Sequence, residues 1–192
     1  MKRIIFCLIT ILSVFAIASC GTTTGVKQEK KSASVSQPQQ DFDEVEDVDD
    51  EEYLRSTNEL TDAEKVSKEE FEEDKAEVLR IISELSKVME KGDKDAWLKY
   101  IAPDSIRYYS SPANIRKVQK KLADKTIQLH GIGDYFKYVF IPSRQRSSVD
   151  EIRYISKTNV KAVEVKSDGS VTVYYYFVKV DGKWLVHLPT LA

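Results

Sequence analysis

The sequence predicts an α+β fold, with N-terminal helices packed on an antiparallel meander of strands. Three observations carry this. As far as Pro142 the apolar residues recur at helical spacing; beyond it they alternate with a period of two. Cap and proline signals punctuate the helical part. Asp181-Gly182 between two apolar runs is a strong hairpin signal.

The first helix opens at Ser67-Lys68-Glu69-Glu70, which has capping-box spacing. The Ser67 hydroxyl and the Glu70 carboxylate can each satisfy an amide that has no partner inside the helix. Phe71, Val78, Ile82, Leu85 and Met89 then recur on one face, supported by Leu79, Ile81 and Val88. Glu72, Glu73 and Asp74 suit the positive end of the helix dipole, and Gly92 is the stop. Asp93 caps a second, short helix carrying Trp97, Leu98, Tyr100 and Ile101, which halts before Pro103. A third begins at Ser111-Pro112, a cap followed by proline at the first helical position, and buries Ile115, Val118 and Leu122. Residues 134–141 suit a short helix and a strand equally, and Pro142 ends them.

Strands follow at 149–155, 159–165, 171–180 and 183–188, with turns at 166–170 and at Asp181-Gly182. A two-residue turn fixes the register. It sets Val178 opposite Leu185 and Tyr176 opposite His187 on one face; Phe177 meets Val186, Lys179 meets Trp184 and Tyr175 meets Leu188 on the other. Val173, Tyr175, Phe177, Trp184, Val186 and Leu188 form the expected core face. The opposite face, with Tyr174, Tyr176, Val178, Leu185 and His187, is too apolar for open water. It calls for cover, either from a second copy or another protein, or from the third helix or the 143–148 loop of the same chain.

This order resembles the NTF2-like (cystatin-like, cone-shaped) fold, in which a long first helix and shorter ones are wrapped by a curved sheet. Gly92-Asp93-Lys94-Asp95-Ala96-Trp97-Leu98-Lys99-Tyr100 resembles the family's early helical turn, and Val180-Asp181-Gly182-Lys183-Trp184-Leu185-Val186 its last hairpin. The resemblance spans about residues 68–192. It implies the fold and leaves function open, because the family hosts many functions.

At the other end of the chain, Met1-Lys2-Arg3 precedes a stretch from Ile4 to Ala18 without charge. That is too short for an ordinary membrane span and suits an export signal. Ile17-Ala18-Ser19-Cys20-Gly21 resembles the lipobox of bacterial lipoproteins, with Ile17 in place of the commoner leucine. The resemblance implies cleavage before Cys20, lipid on its thiol, and a membrane as the first partner, with the outer membrane of the cell envelope favoured. Cys7 lies in the removed segment, so no thiol is left for a disulfide.

The expected organisation is therefore a signal at 1–19, an acidic tether at 20–66 and an NTF2-like domain at 67–192. The tether is polar and small up to Gln40, and residues 41–52 hold nine acids in twelve; such composition predicts disorder. Charge divides the chain. Residues 20–74 carry 6 Lys/Arg against 18 Asp/Glu, whereas residues 75–192 carry 21 against 13. The mild overall balance hides a basic domain on an acidic leash.

The chemistry of sites is sparse. Neither His130 nor His187 has a neighbour at metal-ligand spacing, no glycine-rich loop could cradle phosphate, and no cofactor is implied. Arg116, Lys117, Lys120 and Lys121 share one side of the third helix, and Arg144 and Arg146 share a serine-rich loop; these are the candidate contacts for anionic groups. Tyr174, Tyr176 and His187 are the candidates on the outer sheet face. Nucleic acid is not expected, since no aromatic–basic motif is present. The expectation is a non-catalytic module for a small apolar ligand or a protein partner. The alternative is a small enzyme using an Asp/Tyr pair inside the cone, drawn from Asp104, Asp134, Tyr108, Tyr109 and Tyr138.

Overall fold

A computed structural model describes residues 48–145 and 147–191. Its spine is a 24-residue helix, Lys68–Lys91. At its start the Ser67 hydroxyl accepts from the Glu70 amide at 3.1 Å. The reciprocal half of the capping box is not made, because the Glu70 carboxylate turns to Lys157 Nζ, 3.2 Å away. Gly92 ends the helix at φ 64, a conformation in which any other side chain is strained, and its amide donates to Met89 O. Phe71, Val78, Ile81, Leu85 and Met89 form the buried stripe, with Ile81 taking the central place expected of Ile82.

Two helices precede and follow where the sequence reading placed none. Val48–Thr57, called α1 here, lies within the segment expected to be a disordered tether. Its described charges from Asp50 onward are paired, not merely solvated. Glu52 meets Lys75 at 2.7 Å, Arg55 meets Glu151 at 2.9 Å, and Lys68 binds Asp50. Tyr53 packs edge-on against Phe71 and donates to Val66 O, while Ser56 and Val66 are buried. The folded domain therefore begins before residue 67. The spine is α2, and Lys94–Leu98 is α3, capped by Asp93 accepting from Ala96 N at 2.9 Å. The second unexpected helix, α4, spans Pro103–Ser110. Pro103, read as a stop, is instead the first helical residue, where its missing N–H costs nothing. Helix α5, Pro112–Lys121, starts and buries Ile115 and Val118 as expected.

The ambiguous 134–141 segment is helical. Ile132–Tyr135 (α6) runs into a wide π-helical turn, Phe136–Phe140. That turn sets two phenylalanines against one indole: Phe136 stacks on Trp97 at 4.7 Å and Phe140 meets it edge-on at 5.1 Å.

The sheet is a four-stranded antiparallel meander, β1 Glu151–Ser156, β2 Asn159–Val165, β3 Val171–Val180 and β4 Lys183–His187, in that spatial order. Asp181 and Gly182 both have positive φ, 49 and 77, as a type I′ turn requires. The pairing is the one the turn dictates, from Val180 with Lys183 to Tyr176 with His187. Across the core face Tyr154, Val160, Phe177 and Val186 form one buried row, and Ile152, Ala162 and Tyr175 the next. Residues 100–102 cover the free edge of β4, with Val186 N donating to Tyr100 O and Ala102 N to Val186 O.

Two strands depart from simple alternation. In β1 Tyr154 pairs with Val160 and Ser156 with Asn159, which leaves Ile155 as an extra residue, and β3 carries a second bulge. Ala162 pairs with Tyr175 but Val163 pairs with Val173, so Tyr174 is an extra, bulged residue. The bulge reverses the phase, and Val173, expected in the core, is 36 % exposed.

Candidate functional site

Two charges drawn into the interior, Asp74 buried and Arg144 half-buried, are treated in opposite ways. Asp74, on the sheet-facing side of α2, is 5 % exposed. Its Oδ2 accepts from the Tyr154 hydroxyl at 2.8 Å, and its Oδ1 accepts from Trp184 Nε1 at 2.8 Å and Lys179 Nζ at 2.9 Å. Burial, with Asp74 beside it, pushes the Tyr154 hydroxyl well above the ordinary tyrosine pKa. This is a buried Asp/Tyr pair between α2 and the sheet, but not one of those proposed from sequence. Three donors use its carboxylate to tie α2 to β1, β3 and β4.

The second charge is Arg144, in the turn that follows the π-helical segment. Arg144 N donates to Ile141 O at 3.0 Å, which carries the helical curl past Pro142 and points the side chain inward. Its guanidinium lies 4.3 Å from the centre of the Phe140 ring and 5.4 Å from that of Tyr175. Nη1 donates to Ser143 Oγ, whereas Nε is sealed from solvent without an acceptor. Burial lowers its pKa, opposed by the neighbouring Tyr135, Tyr175 and Tyr109 hydroxyls; a guanidinium nonetheless stays protonated. No carboxylate among the described residues pairs with it. Trp97 Nε1 and the Tyr175 hydroxyl are also buried without a partner. Three donors lacking acceptors thus stand around Phe140, whose ring contacts Trp97, Tyr175 and Arg144.

Arg144 forms one wall of a cleft of about 210 Å³ between the last turn of α2 and the 141–147 turn, where Ser86, Met89, Glu90 and Ser147 also contribute. A wider, shallower cleft of about 500 Å³ lies between α4 and the segment after β4, lined by Ser105, Tyr108, Asn114 and His187 among others. There Ser105 Oγ accepts from Leu188 N at 2.9 Å and stands 3.5 Å from His187 Nδ1. Ser105 is itself buried and works as a latch for the chain's last segment.

The remaining sequence candidates do not converge. Arg116, Lys117, Lys120 and Lys121 are exposed along α5 and none reaches the Arg144 cleft. Tyr174 donates to Glu164 and lines a separate shallow depression with Pro142, Ser143 and Gln145. That places the 141–145 turn beside the sheet at Tyr174. Tyr176 and His187 face each other, half-buried, in the expected register. Cys20 and Arg146 lie outside the described residues. Asp104 pairs with Arg107 in solvent, Asp134 accepts from His130 N, and the Tyr108 and Tyr109 hydroxyls donate to Leu191 O and Pro189 O. Between the helices and the sheet, where an apolar ligand was expected, Trp97, Phe136, Phe140, Tyr175 and Phe177 are packed as core. Glu90 and Asp74 were not singled out from sequence. Asp74 reads there only as one of three acids suiting the positive end of the helix dipole and Glu90 has no role, and only tertiary packing distinguishes them.

Among the described residues no helix is long and apolar enough to cross a membrane, and no group of three or more His, Cys, Asp and Glu side chains is placed to hold a metal. No family model matches the chain and no solved structure matches it. Over 120 residues the chain is 29 % identical to a protein of Treponema pallidum (strain Nichols) described as an uncharacterized lipoprotein. The match takes in 62 % of this chain and 64 % of that relative, so it spans less than two thirds of either. The similarity supports a bacterial lipoprotein.

Proposed function

We propose that this chain is a lipid-anchored lipoprotein of the bacterial cell envelope, whose NTF2-like domain binds a ligand or partner and performs no chemistry on it. The observation that carries the binding role is Arg144. Taking a cation out of water costs several kcal/mol unless something compensates, and a chain ordinarily supplies a carboxylate. Here the compensation is only aromatic faces and one serine, and the guanidinium borders a cleft. A group so placed is prepared for an acceptor brought from outside.

The anchor rests on Ile17-Ala18-Ser19-Cys20 and on the lipoprotein relative. Each buried methylene contributes about 0.8 kcal/mol, so two or three acyl chains hold the protein at a bilayer where one alone is marginal. Cys20→Ala is expected to move the protein from the detergent phase to the aqueous phase, or to leave it unprocessed. An unchanged partition, or a mature protein whose amino terminus carries no lipid by mass spectrometry, removes the anchor from the proposal. Cross-linking in intact cells, followed by identification of what co-purifies, tests the binding role separately.

A further inference from the structure

We propose that the cleft between α2 and the 141–147 turn is a binding site for a small zwitterion, a molecule the size of a simple α-amino acid, whose carboxylate meets Arg144 and whose ammonium meets Glu90.

The two charges line one cleft from opposite sides, yet they do not pair with each other, and neither makes an ion pair with any other described residue. Opposite charges free to approach usually close a bridge, unless the backbone holds them apart. Here both backbones are fixed, Glu90 by the last turn of α2 and Arg144 by the bonds from its own amide to Ile141 O and from Ser147 Oγ to its carbonyl. The gap between them is what a molecule with a charge at each end would fill.

Each wall suits its half of the ligand. On the Arg144 side the guanidinium gives Nη1 to Ser143 Oγ and still has Nη2 without a hydrogen bond. Its N–H groups are donors in want of an acceptor oxygen, which a carboxylate supplies. On the Glu90 side the α2 helix ends, at Lys91, with the partial negative charge of its terminal carbonyls, which favours a cation there. Met89 and Ile141 supply apolar wall between the two. Size sets the class. A volume of about 210 Å³ lies below the span of drug-sized pockets.

The inference rests on the binding role proposed above. That role survives if cross-linking finds a protein partner while small molecules fail, so the two can fail separately. The test is calorimetric titration of the purified full-length chain in detergent with three probes: L-alanine, propionate, which lacks the ammonium, and ethylamine, which lacks the carboxylate. Saturable binding of L-alanine, at least tenfold tighter than either single-charge probe, is expected. Glu90→Gln alters an exposed side chain and leaves the fold intact; it should reduce L-alanine affinity to that of propionate. Arg144→Lys keeps the charge but loses the planar fork, and should abolish the preference for L-alanine over ethylamine. No saturable L-alanine binding at tens of millimolar overturns the proposal. So does propionate binding as tightly as L-alanine, or Glu90→Gln binding L-alanine as wild type.

Discussion

Asp74 and Arg144 are both charges withdrawn from water inside the same small domain, and they show two different uses of such a charge. Asp74 receives three hydrogen bonds from three strands, which satisfy most of what a carboxylate can accept. Arg144 receives ring faces, gives one bond to Ser143, and leaves donors over. A buried charge that is fully met ties its surroundings together; one that is half met still has donors to give, and it is these that the proposed ligand would use. The difference can be broken or sharpened by substitution.

The largest effect is expected at Asp74. Asp74→Ala strands the Tyr154 hydroxyl, the Trp184 indole and the Lys179 ammonium together. Removing one partner of a buried pair costs roughly 3–5 kcal/mol, and the lower figure fits here because Lys179 keeps a quarter of its side chain in solvent. Urea unfolding should show a correspondingly lower midpoint. A loss under about 1 kcal/mol would mean that the clamp is decorative.

Arg144→Met is expected to behave in the opposite way. It removes a desolvated cation and keeps an unbranched apolar side chain against Phe140 and Tyr175. Stability should stay within about 1 kcal/mol of wild type, in either direction, because replacing a poorly compensated buried charge by an apolar group is often neutral or better. Unfolding midpoints measured side by side with Asp74→Ala decide the point. If the two variants lose equal stability, both charges are structural and the comparison fails.

The sheet was legible because its information is local. Alternation, one Asp-Gly turn and a period of two are enough to set Tyr176 opposite His187, and the structure has that pair. The bulges at Ile155 and Tyr174 escaped, since nothing in either run marks where one residue should be left unpaired. The helical end was less legible. Its second proline signal, Ala102-Pro103-Asp104, has the same proline-first form that correctly located the helix at Ser111-Pro112, but it was taken as a stop. Helix α1 was hidden by charge. Residues 41–52 read as a solvated acidic run because the cations that receive Asp50 and Glu52 lie on α2, 18 and 23 residues away. The site was the least legible. Arg144 was a candidate, yet its meaning depends on Phe140, Tyr175 and Glu90, which converge only through the fold.

A smaller effect tests whether α2, which carries Asp74 and one wall of the Arg144 cleft, is held at its ends. Ser67→Ala removes the one side-chain cap on its first turn, the bond accepted from Glu70 N. The expected cost is about 1 kcal/mol, read as a fall in thermal midpoint. No change would mean that α1, tied to α2 through Glu52 and Lys75, already fixes that end.

The smallest effect concerns acid. The Tyr100 hydroxyl donates to Glu84 Oε2 on the exposed side of α2, and this bond, aided by Arg80, holds the Glu84 carboxyl below the usual glutamate range. A carboxyl whose pKa is depressed in the folded state contributes stability above its unfolded value, about 4.3, and that contribution is lost as pH falls through the lower, folded value. Tyr100→Phe removes the first cause of the depression and leaves Arg80 in place. The gap in unfolding midpoint between wild type and Tyr100→Phe should therefore be present at pH 7 and shrink on acidification below about pH 4. Glu84 is exposed and screened, so the gap should be small and should narrow further in added salt. A gap that stays constant with pH would assign the loss to packing of the Tyr100 ring, and would leave Asp74 as the carboxylate in α2 whose hydrogen bonds hold the fold.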